Sequence, residues 1–233
     1  MIELKGSEFM EKRLISFFVV TMLLFSLISV DVSAADDFLI DNGVLIRYTG
    51  KAANIVIPNG VTTIGEDSFA FKKIISVTMP DSVTVIEGGA FFLCQSLTKV
   101  TLSKNLKSIG DGAFGGCSKL KSIRLPNGLE RIGIGAFNDA LIDMNIPTTV
   151  TYIGSCDSLP LPWVRKQKEE FVILGDGILY KYNGSNVKRE NIVIPNNVKT
   201  INEFAFSYDH SSTVNMKSVT IPGSVKEVGR GAF

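Results

Sequence analysis

The sequence predicts a repeat solenoid, a coil of about seven turns of 21 to 27 residues with parallel β-strands stacked turn on turn, and three observations predict it. First, a string of the form apolar-Pro-x-x-apolar-x-x-apolar returns at Ile57-Pro58, Met79-Pro80, Leu125-Pro126, Ile194-Pro195 and Ile221-Pro222, with Leu102-Ser103 taking the same part. Second, in all six of these a Phe stands eleven residues after the Pro position: Phe69, Phe91, Phe114, Phe137, Phe206 and Phe233. Third, each Pro position is preceded by an alternating apolar pair such as Ile55/Ile57, Val77/Met79 or Val219/Ile221, the pattern of a short strand with one buried face. A seventh copy, Ile146-Pro147 with Val150 and Ile153, has Ser158 where the Phe belongs.

The elements follow in chain order. Residues 1–34 read as a secretory signal: Lys12-Arg13 precede an uncharged stretch from Leu14 to Val30, and Val32-Ser33-Ala34-Ala35 supplies the small residues for cleavage after Ala34. The alternative is an uncleaved N-terminal anchor, and Met10 is a candidate for the true start. Residues 35–54 form an N-terminal β-hairpin cap, since two short apolar runs flank the turn Asn42-Gly43. Residues 55–158 make a first block of five coils, the last one degenerate. Residues 159–191 are an insert, a short helix opened by Pro162-Trp163 and a second hairpin turning at Asp176-Gly177. Residues 192–233 make a second block of two coils that stops at Phe233 in mid-repeat, so further coils or another domain are expected downstream.

Within a coil each position has a physical reason. Pro ends the strand because it cannot donate to a ladder inside a sheet. Gly65, Gly110, Gly133, Gly154 and Gly229, one residue after the second apolar position, are expected to supply positive φ at a sharp turn. Asn202 tolerates that conformation and Glu87 does not, which makes Glu87 the exception. One coil buries too little to fold alone, so the coils must stack and line the Phe side chains into a continuous spine. Cys94 and Cys117 lie 23 residues apart at the same place on adjacent coils. Their Cα atoms then fall about 5 Å from each other, which allows either a disulfide or two small core residues. Cys156 has no registered partner, and Trp163 is expected to pack against Phe171 or a coil.

The run Val-Thr-Ile-Pro (Val219 to Pro222), followed by Val, Ile-Gly, Ala-Phe, Gly-Cys and Leu as in Ala113-Phe114, Gly116-Cys117 and Leu120, resembles the BspA-type leucine-rich repeat of bacterial and some protist surface proteins. The resemblance implies a curved right-handed leucine-rich-repeat coil with its parallel sheet on the concave side, in proteins described as adhesins or host-matrix binders. The order Pro-Trp, charged run, hairpin is similar to an insert seen in other members.

Function classes narrow by exclusion. With 45% hydrophobic and 20% charged residues the chain is neither a disordered tail nor a polytopic membrane protein, and a net charge of +1 gives no reason to expect nucleic acid. The lone His210 sits in a polar loop, there is no P-loop or paired-Cys metal motif, and the Asp41 and Asp176 turns lack the carboxylates of a calcium loop. No catalytic, cofactor or metal residue is therefore expected, and the chain is not expected to be an enzyme. The candidate binding residues are the outward-facing strand positions Thr78, Lys99, Thr101, Ser122, Arg124, Asn145 and Thr220, beside Ser76, Asp143 and Ser218. They suit a protein or glycan partner outside the cell, with no membrane span after signal cleavage. A plain solvated face would look the same, and so would a structural spacer or a piece of a larger surface protein.

Overall fold

In the computed structural model the described residues are 35–140, 142, 144–154, 159, 167–184, 191–206 and 217–233. The expected export segment, Asp143, Cys156, the helix expected at Pro162-Trp163 and His210 lie outside them. The chain is a β-solenoid. The first three coils each contribute a three-residue strand just before the Pro position, giving β3 (Asn54–Val56), β5 (Ser76–Thr78) and β7 (Lys99–Thr101) in one parallel sheet with Ile55, Val77 and Val100 in register. The middle residue points inward and its neighbours outward, as alternation requires. The later coils repeat this as β13 (Asn191–Val193) beside β15 (Ser218–Thr220). Where Ser103 replaces Pro, its hydroxyl accepts the Asn105 N–H at 3.1 Å, so a side chain closes the turn that the proline ring closes elsewhere.

A second parallel ladder runs through the position read from sequence only as a turn. Its strands are β4 (Thr63–Ile64), β6 (Val85–Ile86), β8 (Ser108–Ile109), β9 (Arg131–Ile132) and β10 (Tyr152–Ile153). The antiparallel hairpin of β1 (Phe38–Asp41) and β2 (Val44–Tyr48) joins them at one edge, making a seven-stranded sheet in which β2 lies beside β4. A second antiparallel hairpin, β11 (Phe171–Leu174) with β12 (Ile178–Tyr182), opens the corresponding sheet of β14 (Thr200–Ile201) and β16 (Glu227–Val228). Strand β12 is buried on both sides. Ile178 and Tyr180 belong to the core of the earlier coils, and Leu179 and Tyr182 to that of the later ones.

The glycine expectation is corrected by this second ladder. None of Gly65, Gly110, Gly133, Gly154 and Gly229 has positive φ. Proximity requires the glycine instead: a Cβ on Gly110 would lie 2.5 Å from the Glu87 carbonyl carbon, and one on Gly229 2.5 Å from the Glu203 nitrogen. At this point the backbones of successive coils nearly touch. Glu87 and Asn202 hold the same position with a Cβ, so close approach favours glycine there without demanding it in every coil, and the Glu87 carboxylate accepts the Glu66 N–H at 3.0 Å. Asn202 likewise reaches back, donating through Nδ2 to the Gly154 carbonyl at 2.9 Å. Left-handed backbone appears two residues later, nine after the Pro position, at Asp67, Gly89, Gly112, Gly135, Phe204 and Gly231, with φ between 52° and 62°.

The aromatic spine forms as predicted, with Phe69, Phe91, Phe114 and Phe137 fully buried and ring centroids 4.9, 5.1 and 5.6 Å apart in order. These steps are close to the spacing of paired strands, so one stacking distance satisfies ladder and rings together. The hairpins supply the first rings. Tyr48 stacks on Phe69 at 5.3 Å and Tyr182 meets Phe206 at 4.8 Å, with Phe38 and Phe171 packed behind them. Cys94 and Cys117 stand as free, buried thiols. Each Sγ–H is turned into a carbonyl of the preceding coil, Cys94 to Phe69 at 3.0 Å and Cys117 to Phe91 at 3.2 Å.

Candidate functional site

Outward positions on the strand face fall into two rows, four and two residues before each Pro position. The first row holds Asn54, Ser76, Lys99, Ser122, Asn191 and Ser218. In it Ser76 donates to the Asn54 Oδ1 at 2.7 Å, and Ser218 donates to Asn191 in the same way. Those Asn–Ser pairs tie coil to coil and need no ligand to explain them. The second row holds Val56, Thr78, Thr101, Arg124, Asn145, Val193 and Thr220.

The three-stranded sheet ends at β7. Ile57 and Met79 each donate to the strand of the next coil, to Thr78 at 2.9 Å and Thr101 at 3.0 Å, but among the described residues Leu102 makes no equivalent bond to Arg124. On the spine side the same two coils stay together, Phe114 donating to the Ala136 carbonyl at 2.8 Å and β8 pairing with β9, so they part on the strand face. The result is a groove of about 700 Å³ on the strand face. Lys99, Ser122, Arg124 and Asn145 edge it, and Val100, Ile123, Leu125, Met144 and Ile146 supply its apolar lining. Four of the seven sequence-predicted residues thus meet at one groove built from three successive coils. Thr101 lies on the same strand as Lys99, Thr78 is one coil further back, and Thr220 belongs to the separate sheet of β13 and β15.

Sequence reasoning missed Thr98 and Asn127, which also line the groove, and treated the apolar lining as plain core. Nothing in the repeat pattern marks where a ladder parts, because the spacing of 23 residues is the same on both sides of β7. Lys99 and Arg124 make no ion pair among the described residues. Nearby cations do: Lys104 meets Asp81 at 2.6 Å and Lys107 meets Glu130 at 2.7 Å. The hydrogen bond from Lys104 holds the Asp81 carboxyl below its usual range.

Burial pushes the Cys94 and Cys117 thiols up to about 12, so neither is a thiolate at neutral pH. Among the described residues no group of three His, Cys, Asp or Glu side chains could hold a metal ion. No helix of these residues is long and apolar enough to cross a membrane.

Periodicity, double ladder and aromatic spine together define a leucine-rich repeat solenoid. The family model for the BspA-type leucine-rich repeat region matches residues 45–156 and 179–233 in six copies, and the chain belongs to that family. Among solved structures it is similar to a leucine-rich repeat protein of T. pallidum, with 23% identity and a TM-score of 0.55, covering 84% of this chain and 85% of that one. It is also similar to a leucine-rich repeat protein of Eubacterium ventriosum, with 22% identity and a TM-score of 0.46 over 82% of this chain and 56% of that one. A leucine-rich cell surface protein of Faecalibacterium prausnitzii matches at 23% identity and a TM-score of 0.37, covering 86% of this chain and 70% of that one. The chain therefore spans most of the T. pallidum protein and just over half of the Eubacterium protein. No curated protein matches it in sequence.

Proposed function

We propose that this chain is a non-catalytic binding protein that acts outside the cell, secreted or at the cell surface, and holds a protein or glycan partner on the strand face of its solenoid. The observation that carries the reading is the groove edged by Lys99, Ser122, Arg124 and Asn145, where polar side chains from successive coils converge over an apolar lining. A surface with a few placed polar groups around apolar area is the usual makeup of a recognition site. Export is supported by the basic Lys12-Arg13, the uncharged Leu14 to Val30 stretch and the small residues before Ala35. Adhesion to host or matrix proteins is the form of binding that fits such a location.

The test is a binding screen of the mature chain against immobilised matrix proteins and glycans, run beside a Lys99→Glu/Arg124→Glu double variant. Both side chains are exposed and have no ion-pair partner among the described residues, so the variant should fold as the parent does. A partner whose binding falls at least about tenfold supports the strand face. Binding that is unchanged removes it.

A further inference from the structure

Charge is distributed unevenly along the coils. Between Leu97 and Leu129 there are six Lys and Arg residues and one Asp, a net of +5 in a chain whose total is +1. Within that stretch Lys104 and Lys107 are paired with acidic residues of neighbouring coils, whereas Lys99 and Arg124 at the groove have no acidic partner among the described residues. They are also the two cations in strand-face rows otherwise made of small polar and aliphatic residues among the described positions. Among the described residues no acidic and no aromatic side chain lines the groove; Asp143, which alternation puts on the same face, lies outside them.

Resting on the reading above, we propose that this groove binds an extended, acidic segment of a partner protein, two carboxylates on one face of the segment meeting Lys99 and Arg124 around an apolar side chain. Lys99 and Arg124 stand on neighbouring coils with a two-residue offset, which at paired-strand spacing separates Cα atoms by roughly 8 Å and by more where the strands part. Alternate residues of an extended peptide lie about 7 Å apart on one face, so carboxylates at such positions match the two cations. Arg124 can take its carboxylate through two parallel N–H bonds, and Lys99 acts as a point charge. The lining of Val100, Ile123, Leu125 and Met144 gives a side chain between the carboxylates an aliphatic seat. Among the described residues the groove offers no aromatic ring on which a neutral sugar would stack, which favours a peptide occupant.

The experiment uses fluorescence anisotropy of the mature chain with a labelled peptide alternating Glu and Leu, a Gln/Leu counterpart, polyglutamate and a sulfated polysaccharide. The Glu/Leu peptide is expected to bind, to weaken at least about tenfold with Gln for Glu, and to weaken as much with Lys99→Glu/Arg124→Glu. Raising the salt should lower its affinity, because the contacts are at the surface. A Leu125→Asp variant is expected to lose the peptide while keeping polyglutamate unchanged; circular dichroism confirms that it is folded, and Leu125→Ala is the second variant if it is not. Equal binding of polyglutamate and the Glu/Leu peptide, or tighter binding of the polysaccharide, overturns the proposal in favour of a general polyanion surface. Absence of peptide binding together with a matrix partner that still depends on Lys99 and Arg124 overturns the acidic segment alone and leaves the strand face standing as a binding site.

Discussion

Two glycines two residues apart in the third coil separate close backbone approach from left-handed conformation. Gly110 has negative φ, and a Cβ there would stand 2.5 Å from the Glu87 carbonyl carbon and 2.6 Å from the Gly88 nitrogen. Those are backbone atoms of the preceding coil. Ordinary contact needs about 3.5 Å, so Gly110→Ala must push the coils apart by about 1 Å. The move strains packing by about 1–3 kcal/mol and weakens ladder bonds such as Gly110 N–H to Ile86 O, now 2.7 Å, at about 1 kcal/mol each. The expected loss is about 3–5 kcal/mol. Gly112 has φ of +61° with no atom within 4 Å of its ideal Cβ position. Gly112→Ala therefore meets only the left-handed penalty of about 1–2 kcal/mol, offset by about 0.4–1 kcal/mol from a less flexible unfolded chain. Its expected net loss is about 0.5–1 kcal/mol. Urea unfolding followed by circular dichroism measures both. Equal losses, or a larger loss in Gly112→Ala, would refute the account of why the repeat keeps a glycine after its second apolar residue.

Phe114 sits mid-spine between Phe91 and Phe137, so Phe114→Ala should cost about 3–5 kcal/mol and, by cutting nearest-neighbour coupling, turn a single denaturation step into two. One intact cooperative transition would count against a continuous spine. Because burial raises the Cys94 and Cys117 thiols from 9.0 to about 12, the unfolded chain releases its thiol protons at lower pH than the folded one. Stability from these groups is then full below pH 9 and lost between 9 and 12, by about 1 kcal/mol per thiol at pH 10. Replacing both with Ala should flatten that part of the stability profile, and a slope that persists in the double variant would assign it to other groups. A thiol reagent at pH 8 should leave both unmodified until urea unfolds the chain.

The strand before each Pro was legible in the sequence because alternation over Ile55/Ile57 or Val77/Met79 is a direct signal of one buried face. The Phe spine was legible for the same kind of reason, since a fixed offset of eleven residues has one structural meaning in a stacked coil. The second ladder was not. Its strands are two residues long, as in Thr63–Ile64, and two residues cannot display a period. Tyr48 and Tyr182 escaped as spine members because they stand in hairpins outside the repeat string, although both occupy the place before Thr49-Gly50 and Asn183-Gly184 in matching motifs. At the groove the outward residues were readable one by one from alternation. Their convergence was not, since it follows from the sheet stopping after β7, a property of how coils part in space.

A solenoid divides its positions into those the stack dictates and those it leaves open, and function can be read only from the second kind. Ile64, Phe69, Gly65 and their equivalents answer to the neighbouring coil, so they carry no information about a partner. Some outward residues are dictated as well: the Asn54–Ser76 and Asn191–Ser218 bonds show the first strand-face row tying coils together in both parts of the array. Lys99 replaces such a residue in the third coil, and Arg124 stands two positions from Ser122 in the fourth. Among the described residues neither makes an inter-coil ion pair, though lysines 104 and 107 of the third coil do. If coil-to-coil cohesion had set these positions, Asn or Ser at 99 and Thr at 124 would serve it better than a long cation that must be held over apolar surface. A Lys99→Asn/Arg124→Thr double variant should accordingly be at least as stable as the parent while losing the partner. Calorimetry beside the binding assay decides the point: a drop of several degrees in Tm would show that the two cations belong to the stack after all.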